Sequence, residues 1–99
     1  MLLQKKTKME VKRSEYQDGN IQSVGFFKDG VPQVTTGIMK KGSYNLGKAN
    51  PRETMKCTSG EMIINGQKCT ADSPPVVIEV GENINFEVLV NSTYTCTYN

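Results

Sequence analysis

The segment from Arg52 to Ser59 holds most of the side chains that could carry out polar chemistry. Arg52 is the only arginine besides Arg13, and its guanidinium, or the ammonium group of nearby Lys56, could bind an anion such as phosphate through charge-assisted hydrogen bonds. Glu53 could hold hydroxyl groups or balance positive charge that develops in a transition state. Two ordinary alternatives stay open: a loop ion pair between Arg52 and Glu53, and a surface position for Lys56.

Residue types that other chemistries need are missing from the chain. There is no histidine, so a histidine-based metal site and Ser–His or Cys–His nucleophiles are excluded. The three cysteines are separated by 12 and 27 residues, without the C-x-x-C pair that is typical of zinc sites. The glycine motifs of phosphate loops and dinucleotide sites are also absent. We therefore expect no protein-bound metal and no cofactor.

The composition argues against several classes of partner. A net charge of +2 and a pI near 8.4 give too weak a field to indicate nucleic-acid or membrane binding. Met1-Leu2-Leu3 is followed directly by Gln4-Lys5-Lys6, so no secretory signal is indicated, and no apolar run is long enough for a membrane span. An odd number of cysteines fits a reducing compartment. We expect a cytoplasmic protein that binds neither nucleic acid nor membranes.

Short alternating segments predict an all-β fold. Runs rich in Val, Ile, Thr and Tyr alternate apolar with polar residues, and Gly, Pro and Asn turn signals separate them about every 8–12 residues. This pattern predicts roughly seven to nine strands in a small sandwich or barrel, and the many tight turns favour a jelly-roll-like or cupin-like barrel. We expect one domain over residues 14–99, preceded by a flexible basic arm over residues 1–13.

Two turn signals, Ser59-Gly60 and Asn65-Gly66, predict a three-stranded meander in the middle of the chain. With two-residue turns, Met62 on the central strand would face Cys57 on one side and Cys69 on the other. The two cysteines would then lie roughly 9–10 Å apart, which is two strand spacings. A disulfide needs Cα atoms within about 7 Å of each other, so free thiols are predicted.

Alternation also predicts which side chains face the interior. Tyr94, Cys96 and Tyr98 share one face of the last strand. The tyrosine rings could stack on a planar base or fill the interior of the barrel, and Cys96 is expected to be a small buried residue. Phe86 and Met55 fall at inward positions, where both are typical core residues, although Met55 could also line a binding pocket.

Five groups of residues occur in a fixed order along the chain: Val24-Gly25-Phe26, Gly37-Ile38-Met39, Gly42-Ser43-Tyr44, Glu53-Thr54-Met55 with Ser59-Gly60-Glu61, and Tyr94-Thr95-Cys96-Thr97-Tyr98. In this order and spacing they resemble the small cupin family of pyrimidine/purine nucleoside phosphorylases. The resemblance covers about residues 14–98, and the opening Ser14-Glu15-Tyr16 is also similar to the start of that family.

The resemblance implies a homodimeric pentosyltransferase that converts purine and pyrimidine ribonucleosides and inorganic phosphate into a free base and ribose 1-phosphate. Nucleoside and phosphate are then the expected partners, with phosphate as co-substrate and no cofactor. The expected catalytic residues are Glu53, which matches the family pattern, and Arg52, which is not part of that pattern and is selected for its charge. The expected substrate-binding residues are Met55, Ser59, Phe86, Tyr94 and Tyr98, of which Ser59 is first of all a turn residue.

The chain departs from the family pattern at three places, which supports a second hypothesis. Ser73-Pro74-Pro75 replaces a glycine region, residues 80–86 lack a usual proline, and the loop before Tyr94 is short. If these segments line the pocket, the chain could instead be a catalytically silent cupin that binds a small ligand or has a structural role.

Overall fold

Ten β-strands account for most of the chain. The computed structural model describes residues 8–98, which contain no helix. The strands are β1 (Met9–Tyr16), β2 (Ile21–Lys28), β3 (Val31–Met39), β4 (Gly42–Lys48), β5 (Glu53–Ser59), β6 (Glu61–Ile64), β7 (Gln67–Thr70), β8 (Val76–Ile78), β9 (Asn83–Val88) and β10 (Ser92–Tyr98). A helix that could cross a membrane is accordingly absent from residues 8–98.

The strands form two antiparallel sheets. The larger sheet has the order β1-β2-β3-β10-β5-β8, and the smaller has the order β4-β9-β6-β7. Buried residues of both sheets pack into one core, among them Met39 and Met55 of the larger sheet and Ile64 and Phe86 of the smaller. The sheets therefore face each other, which confirms the predicted all-β, jelly-roll-like class, although they do not close into a continuous barrel.

Alternating burial explains how each strand is oriented against the core. In β9 the apolar Ile84, Phe86 and Val88 are buried, and the polar residues between them are exposed. In β10, Tyr94 and Cys96 are buried in the same way. Because full burial of one such apolar side chain contributes about 1.5–3 kcal/mol, a one-residue shift of register would be costly in either strand.

Strand β1 corrects the predicted boundary between arm and domain. Residues 9–13, assigned from the sequence to a flexible arm, belong to β1, which pairs with β2 from Met9↔Lys28 to Tyr16↔Ile21. Basic residues are compatible with this position because β1 is an edge strand, where charged side chains remain solvated. Residues 1–7 of the predicted arm lie outside the described residues.

One of the two predicted hairpins forms as expected. β6 and β7 pair around Asn65-Gly66, with Met62 opposite Cys69. Asn65 and Gly66 have φ angles of 48° and 80°, and a type I′ turn requires positive φ at both of its central residues. The Asn-Gly pair therefore sets this register through its own backbone preferences.

The other predicted hairpin, at Ser59-Gly60, is wrong. There the chain passes from the larger sheet to the smaller one, and Cys57 lies opposite Tyr94 instead of Met62. The crossing is held by the start of β10, because the backbone N–H of Glu61 donates to the hydroxyl of Ser92 at 3.1 Å. All three cysteines are free, as predicted. The predicted separation of Cys57 from Cys69 is wrong, however, because Cys57 does not pair with Met62 and its thiol lies close enough to that of Cys69 to interact with it.

Candidate functional site

A cavity of about 580 Å³ lies between the two sheets, lined by residues of both. Its size falls within the range of small-molecule sites, about 300–1,000 Å³. Five of the seven predicted site residues line it, namely Glu53, Met55, Phe86, Tyr94 and Tyr98. Strand alternation brings them together, because β5 and β10 are neighbours in the larger sheet and β9 faces them from the smaller one.

Glu53 is the carboxylate of the cavity. It stands at the first position of β5, directly opposite Tyr98 of β10. The thiol of Cys96 donates to its Oε1 atom at 3.2 Å. Among residues 8–98, no lysine or arginine forms a salt bridge with Glu53. Its negative charge is therefore available to a cationic group or to hydroxyls inside the cavity.

Tyr94 lies flat against the larger sheet because the residue beneath it is a glycine. Gly37 is paired with Tyr94 on one side and with Ser23 on the other. A β-carbon on Gly37 would come within 2.8 Å of the Tyr94 hydroxyl oxygen, so the ring crosses the glycine and its hydroxyl lies near Ser23, which pairs with Gly37 on the other side. Burial raises the pKa of Tyr94 to about 12, and the nearby Ser23 side chain opposes part of that rise. The phenol is therefore neutral at pH 7.

Tyr98 and Phe86 complete the aromatic part of the lining. The hydroxyl groups of Tyr98 and Thr35 form a hydrogen bond of 2.7 Å, and burial raises the pKa of Tyr98 well above its ordinary value. Phe86 and Ile84 lie opposite, on β9, and are both buried. A planar ligand could thus contact apolar surface on one side and tyrosine hydroxyls on the other.

Two lysines that the sequence analysis did not select also line the cavity. Lys12 is on β1 and Lys48 is at the end of β4. The ammonium nitrogen of Lys12 lies 4.8 Å from the centre of the Phe27 ring, within cation–π distance. Lys12 pairs with Gly25, and Gly25 and Phe27 are two residues apart on β2, so all three lie on the same face of the sheet. Strand alternation would have predicted this position of Lys12 if β1 had been recognised as a strand.

Arg52 lies outside the cavity. Its Nε atom is 3.3 Å from Oε1 of Glu79, in a partly exposed ion pair beyond the cavity lining. The ion pair expected as the alternative exists, but with Glu79 rather than with Glu53. Residues 52 and 53 are consecutive on an extended segment, so their side chains point to opposite faces. Arg52 therefore does not share a site with Glu53.

The other two polar residues singled out near Arg52 have structural contacts. The ammonium group of Lys56 donates to the backbone carbonyls of Ala71 and Ser73 at 2.9 and 2.8 Å. The hydroxyl of Ser59 bonds with that of Thr93 at 2.6 Å, on the exposed surface. Neither Lys56 nor Ser59 lines the cavity.

The side chains that line the cavity are better suited to an organic ligand than to a metal ion. Within residues 8–98, no cluster of three or more Cys, Asp or Glu side chains is placed to hold a metal ion. Together the lining groups provide one carboxylate, two ammonium groups, neutral phenols and an apolar wall. This set can hold a polar, partly anionic ligand with a flat apolar portion.

Proteins of known name resemble most of this chain. A family model described as pyrimidine/purine nucleoside phosphorylase matches residues 11–98. A pyrimidine/purine nucleoside phosphorylase from Magnetococcus marinus is 31% identical over 93 residues, covering 89% of this chain and 98% of the relative. Another from Saccharophagus degradans is 32% identical over 88 residues, covering 84% and 92%. The residues that the family model matches include all the lining residues discussed above.

Solved structures share the fold. A protein of unknown function from Vibrio parahaemolyticus has a TM-score of 0.75 at 23% identity, covering 91% of this chain and 99% of that one. A protein of unknown function from Acinetobacter sp. ADP1 has a TM-score of 0.74 at 16% identity, covering 94% of each chain. At such identities the likeness shows the two-sheet fold alone.

Proposed function

Because the chain belongs to the pyrimidine/purine nucleoside phosphorylase family, we propose that it cleaves purine and pyrimidine ribonucleosides with inorganic phosphate. The products are a free base and ribose 1-phosphate. The observation that carries this proposal is a cavity that combines two lysines and an aromatic wall with Glu53, whose carboxylate forms no salt bridge within residues 8–98.

The reaction needs charge placement more than covalent catalysis. The bond between the anomeric carbon and the base nitrogen breaks, and its electron pair leaves with the base, which gains the proton that the hydrogen phosphate loses. A phosphate oxygen forms the new bond to the same carbon. By analogy with other glycosyl transfers, the sugar passes through an oxocarbenium-like transition state. Positioning and fixed charges each supply several kcal/mol in such a site, so we propose a reaction without metal or cofactor.

Each lining group has a role in this proposal. Glu53 holds the ribose hydroxyls and balances the oxocarbenium charge. Lys12 and Lys48 bind phosphate, replacing Arg52, whose guanidinium is paired with Glu79 outside the cavity. The base lies against Phe86 and Met55.

Tyr94 and Tyr98 lie on the opposite side of the cavity from Phe86. As neutral phenols they can donate to, or accept from, polar atoms of either base type. An apolar wall that faces hydroxyl groups across the cavity does not require one particular pattern of donors on the base. This is the physical basis for proposing that both purine and pyrimidine nucleosides are substrates.

The activity is tested by incubating the protein with uridine, inosine and adenosine, with and without phosphate, and measuring free base and ribose 1-phosphate. Glu53→Gln should lower kcat/KM about 100-fold, in line with the loss of one placed charge. Glu87→Gln is the matched control, since Glu87 is exposed and lies on the outer face of β9. Absence of phosphate-dependent base release would refute the proposal, and ligand-induced stabilisation without turnover would favour the silent-cupin alternative.

We further propose a homodimer in the cytoplasm. Strand β1 is an eight-residue edge strand, and Val11 and Phe26, paired across β1 and β2, are both exposed. An unpaired edge beside apolar residues suits a second copy of the chain, and three free thiols suit a reducing compartment. Light scattering after size exclusion should give about twice 11.0 kDa. A single 11.0 kDa species at micromolar concentration would contradict the dimer.

A further inference from the structure

Within residues 8–98, the Glu53 side chain accepts one side-chain hydrogen bond, and the donor is a buried thiol. Cys96 is 2% exposed, and its Sγ–H group donates to Glu53 Oε1 at 3.2 Å. The contact follows from the register of β5 and β10, in which Met55 lies opposite Cys96 and Glu53 opposite Tyr98. Residues 96 and 53 are therefore diagonal neighbours on the same face of the sheet.

The thiol is itself held in place by neighbouring groups. Burial raises the pKa of Cys96 above its ordinary value, and the adjacent Glu53 carboxylate raises it further. The group therefore stays protonated at neutral pH and keeps its proton for donation. The Tyr98 hydroxyl interacts with the Cys96 sulfur and is bonded in turn to Thr35 at 2.7 Å. A chain of polar groups thus runs from β3 through β10 to the carboxylate on β5.

A thiol suits a carboxylate that must keep its charge. An S–H group is a weak donor and carries no positive charge, whereas a lysine or arginine in its place would form an ion pair with the carboxylate. Cys96 can therefore orient one carboxylate oxygen while neutralising little of the charge. The second oxygen, Oε2, receives no side-chain hydrogen bond from residues 8–98 and remains available to a ligand.

We propose that Cys96 is a positioning residue that orients the Glu53 carboxylate toward the ribose of a bound nucleoside. This inference rests on the proposed function, because it assigns Glu53 a substrate to act on. Cys96 makes no bond to substrate and no covalent intermediate in this scheme. It acts through Glu53 by restricting rotation of the carboxylate.

The expected effect falls on turnover more than on binding. A carboxylate that is free to rotate spends less time opposite the developing positive charge, and misplacement of a reacting group by about 1 Å costs on the order of 100-fold. Loss of a single weak hydrogen bond displaces it less, so Cys96→Ala should lower kcat by about 10-fold while KM changes by less than about 3-fold. Cys96→Ser retains a donor at the same position and should recover at least half of the wild-type kcat.

The decisive measurement is a double-mutant cycle. If Cys96 acts through Glu53, Cys96→Ala should have little further effect on the residual activity of Glu53→Gln. The matched control is Cys57→Ala, because Cys57 is equally buried, donates to the backbone carbonyl of Ser59 at 3.0 Å and does not line the cavity. Cys57→Ala should leave kcat unchanged, and urea titrations should show all variants folded.

Two results would overturn the inference while leaving the proposed function intact. The first is a Cys96→Ala enzyme with wild-type kcat. The second is an equal loss of activity from Cys96→Ala in the wild-type and Glu53→Gln backgrounds, since that would show Cys96 acting independently of the carboxylate. A wild-type protein that releases no base with phosphate would refute the proposed function, and this inference with it.

Discussion

Gly37→Ala should destabilise the protein and displace Tyr94, although the substitution adds only one methyl group. The new β-carbon would lie 2.5 Å from the backbone carbonyl oxygen of Gln22 and 2.9 Å from Cζ of Tyr94. The Gln22 carbonyl belongs to β2, which is paired with β3 along its whole length and cannot withdraw. The Tyr94 ring must therefore tilt away from the sheet, and its hydroxyl group moves away from the Ser23 side chain.

The magnitude follows from two contributions. Overpacking of a well-packed interior costs about 1–3 kcal/mol, and displacement of the buried Tyr94 hydroxyl from its polar surroundings near Ser23 costs about another 1–3 kcal/mol. Alanine has less backbone entropy than glycine in the unfolded chain, which stabilises the folded state by about 0.4–1 kcal/mol. We expect the free energy of unfolding to fall by about 2–4 kcal/mol, and KM for nucleosides to rise because Tyr94 no longer lies flat in the cavity.

Gly25→Ala is the matched control, on the neighbouring strand of the same sheet. Its β-carbon would meet the Phe27 ring at 3.0 Å and otherwise only ordinary contacts. A ring can rotate where a backbone carbonyl cannot, so the free energy of unfolding should change by less than about 1 kcal/mol. Urea unfolding of both variants measures the difference. Equal destabilisation by the two substitutions would refute the reasoning about Gly37.

Three further predictions concern stability and thiol chemistry. Burial raises the pKa of Tyr94 to about 12 and also raises the pKa of Cys96. The unfolded state therefore loses these protons first, and the melting temperature should fall as the pH rises above about 9. The fall should be smaller in Tyr94→Phe. Asn65 has a φ of 48°, and its Oδ1 atom accepts a hydrogen bond from the backbone N–H of Asn85 at 2.9 Å. Asn65→Ala should therefore lower the free energy of unfolding by about 2 kcal/mol. The control, Asn45→Ala at an exposed position, should lower it less. Because all three cysteines are buried and free, a thiol reagent should modify none rapidly in the native state and three in urea; rapid native labelling would contradict this burial.

Strand alternation accounts for the part of the fold that the sequence predicted well. Ile84, Phe86 and Val88 alternate with polar residues, and only one face of such a strand can be buried at acceptable cost. The Asn65-Gly66 hairpin was predictable for a different reason, since its turn residues favour the required positive φ angles by themselves. Both features depend on residues close together in the sequence.

The Ser59-Gly60 turn shows where local signals fail. Gly60 has a φ of 86°, which suits a two-residue hairpin but equally suits a chain that changes sheets. The chain changes sheets here because β5 pairs with β10, which begins 33 residues after Ser59. The Ser92 hydroxyl of β10 then accepts a hydrogen bond from the residue after the turn. A glycine-containing turn predicts that the chain changes direction, whereas the identity of the next paired strand depends on distant residues.

The same distinction explains which site residues were found. Tyr94 and Tyr98 could be selected because they share the inward face of their strand and carry hydroxyl groups, whereas Glu53 was selected because it matches the family pattern. Lys12 could not be selected from the sequence, because its position in the cavity lining depends on β1 being a strand. β1 is stabilised by pairing with β2 and has no apolar alternation of its own. Arg52 was chosen for its charge, yet adjacent residues of an extended chain point in opposite directions, so its position next to Glu53 in the sequence separates the two side chains. In an all-β site, residues two apart on one strand, or directly or diagonally opposite each other on one face of paired strands, are therefore better candidates for joint action than immediate neighbours, and Cys96 with Glu53 is such a diagonal pair.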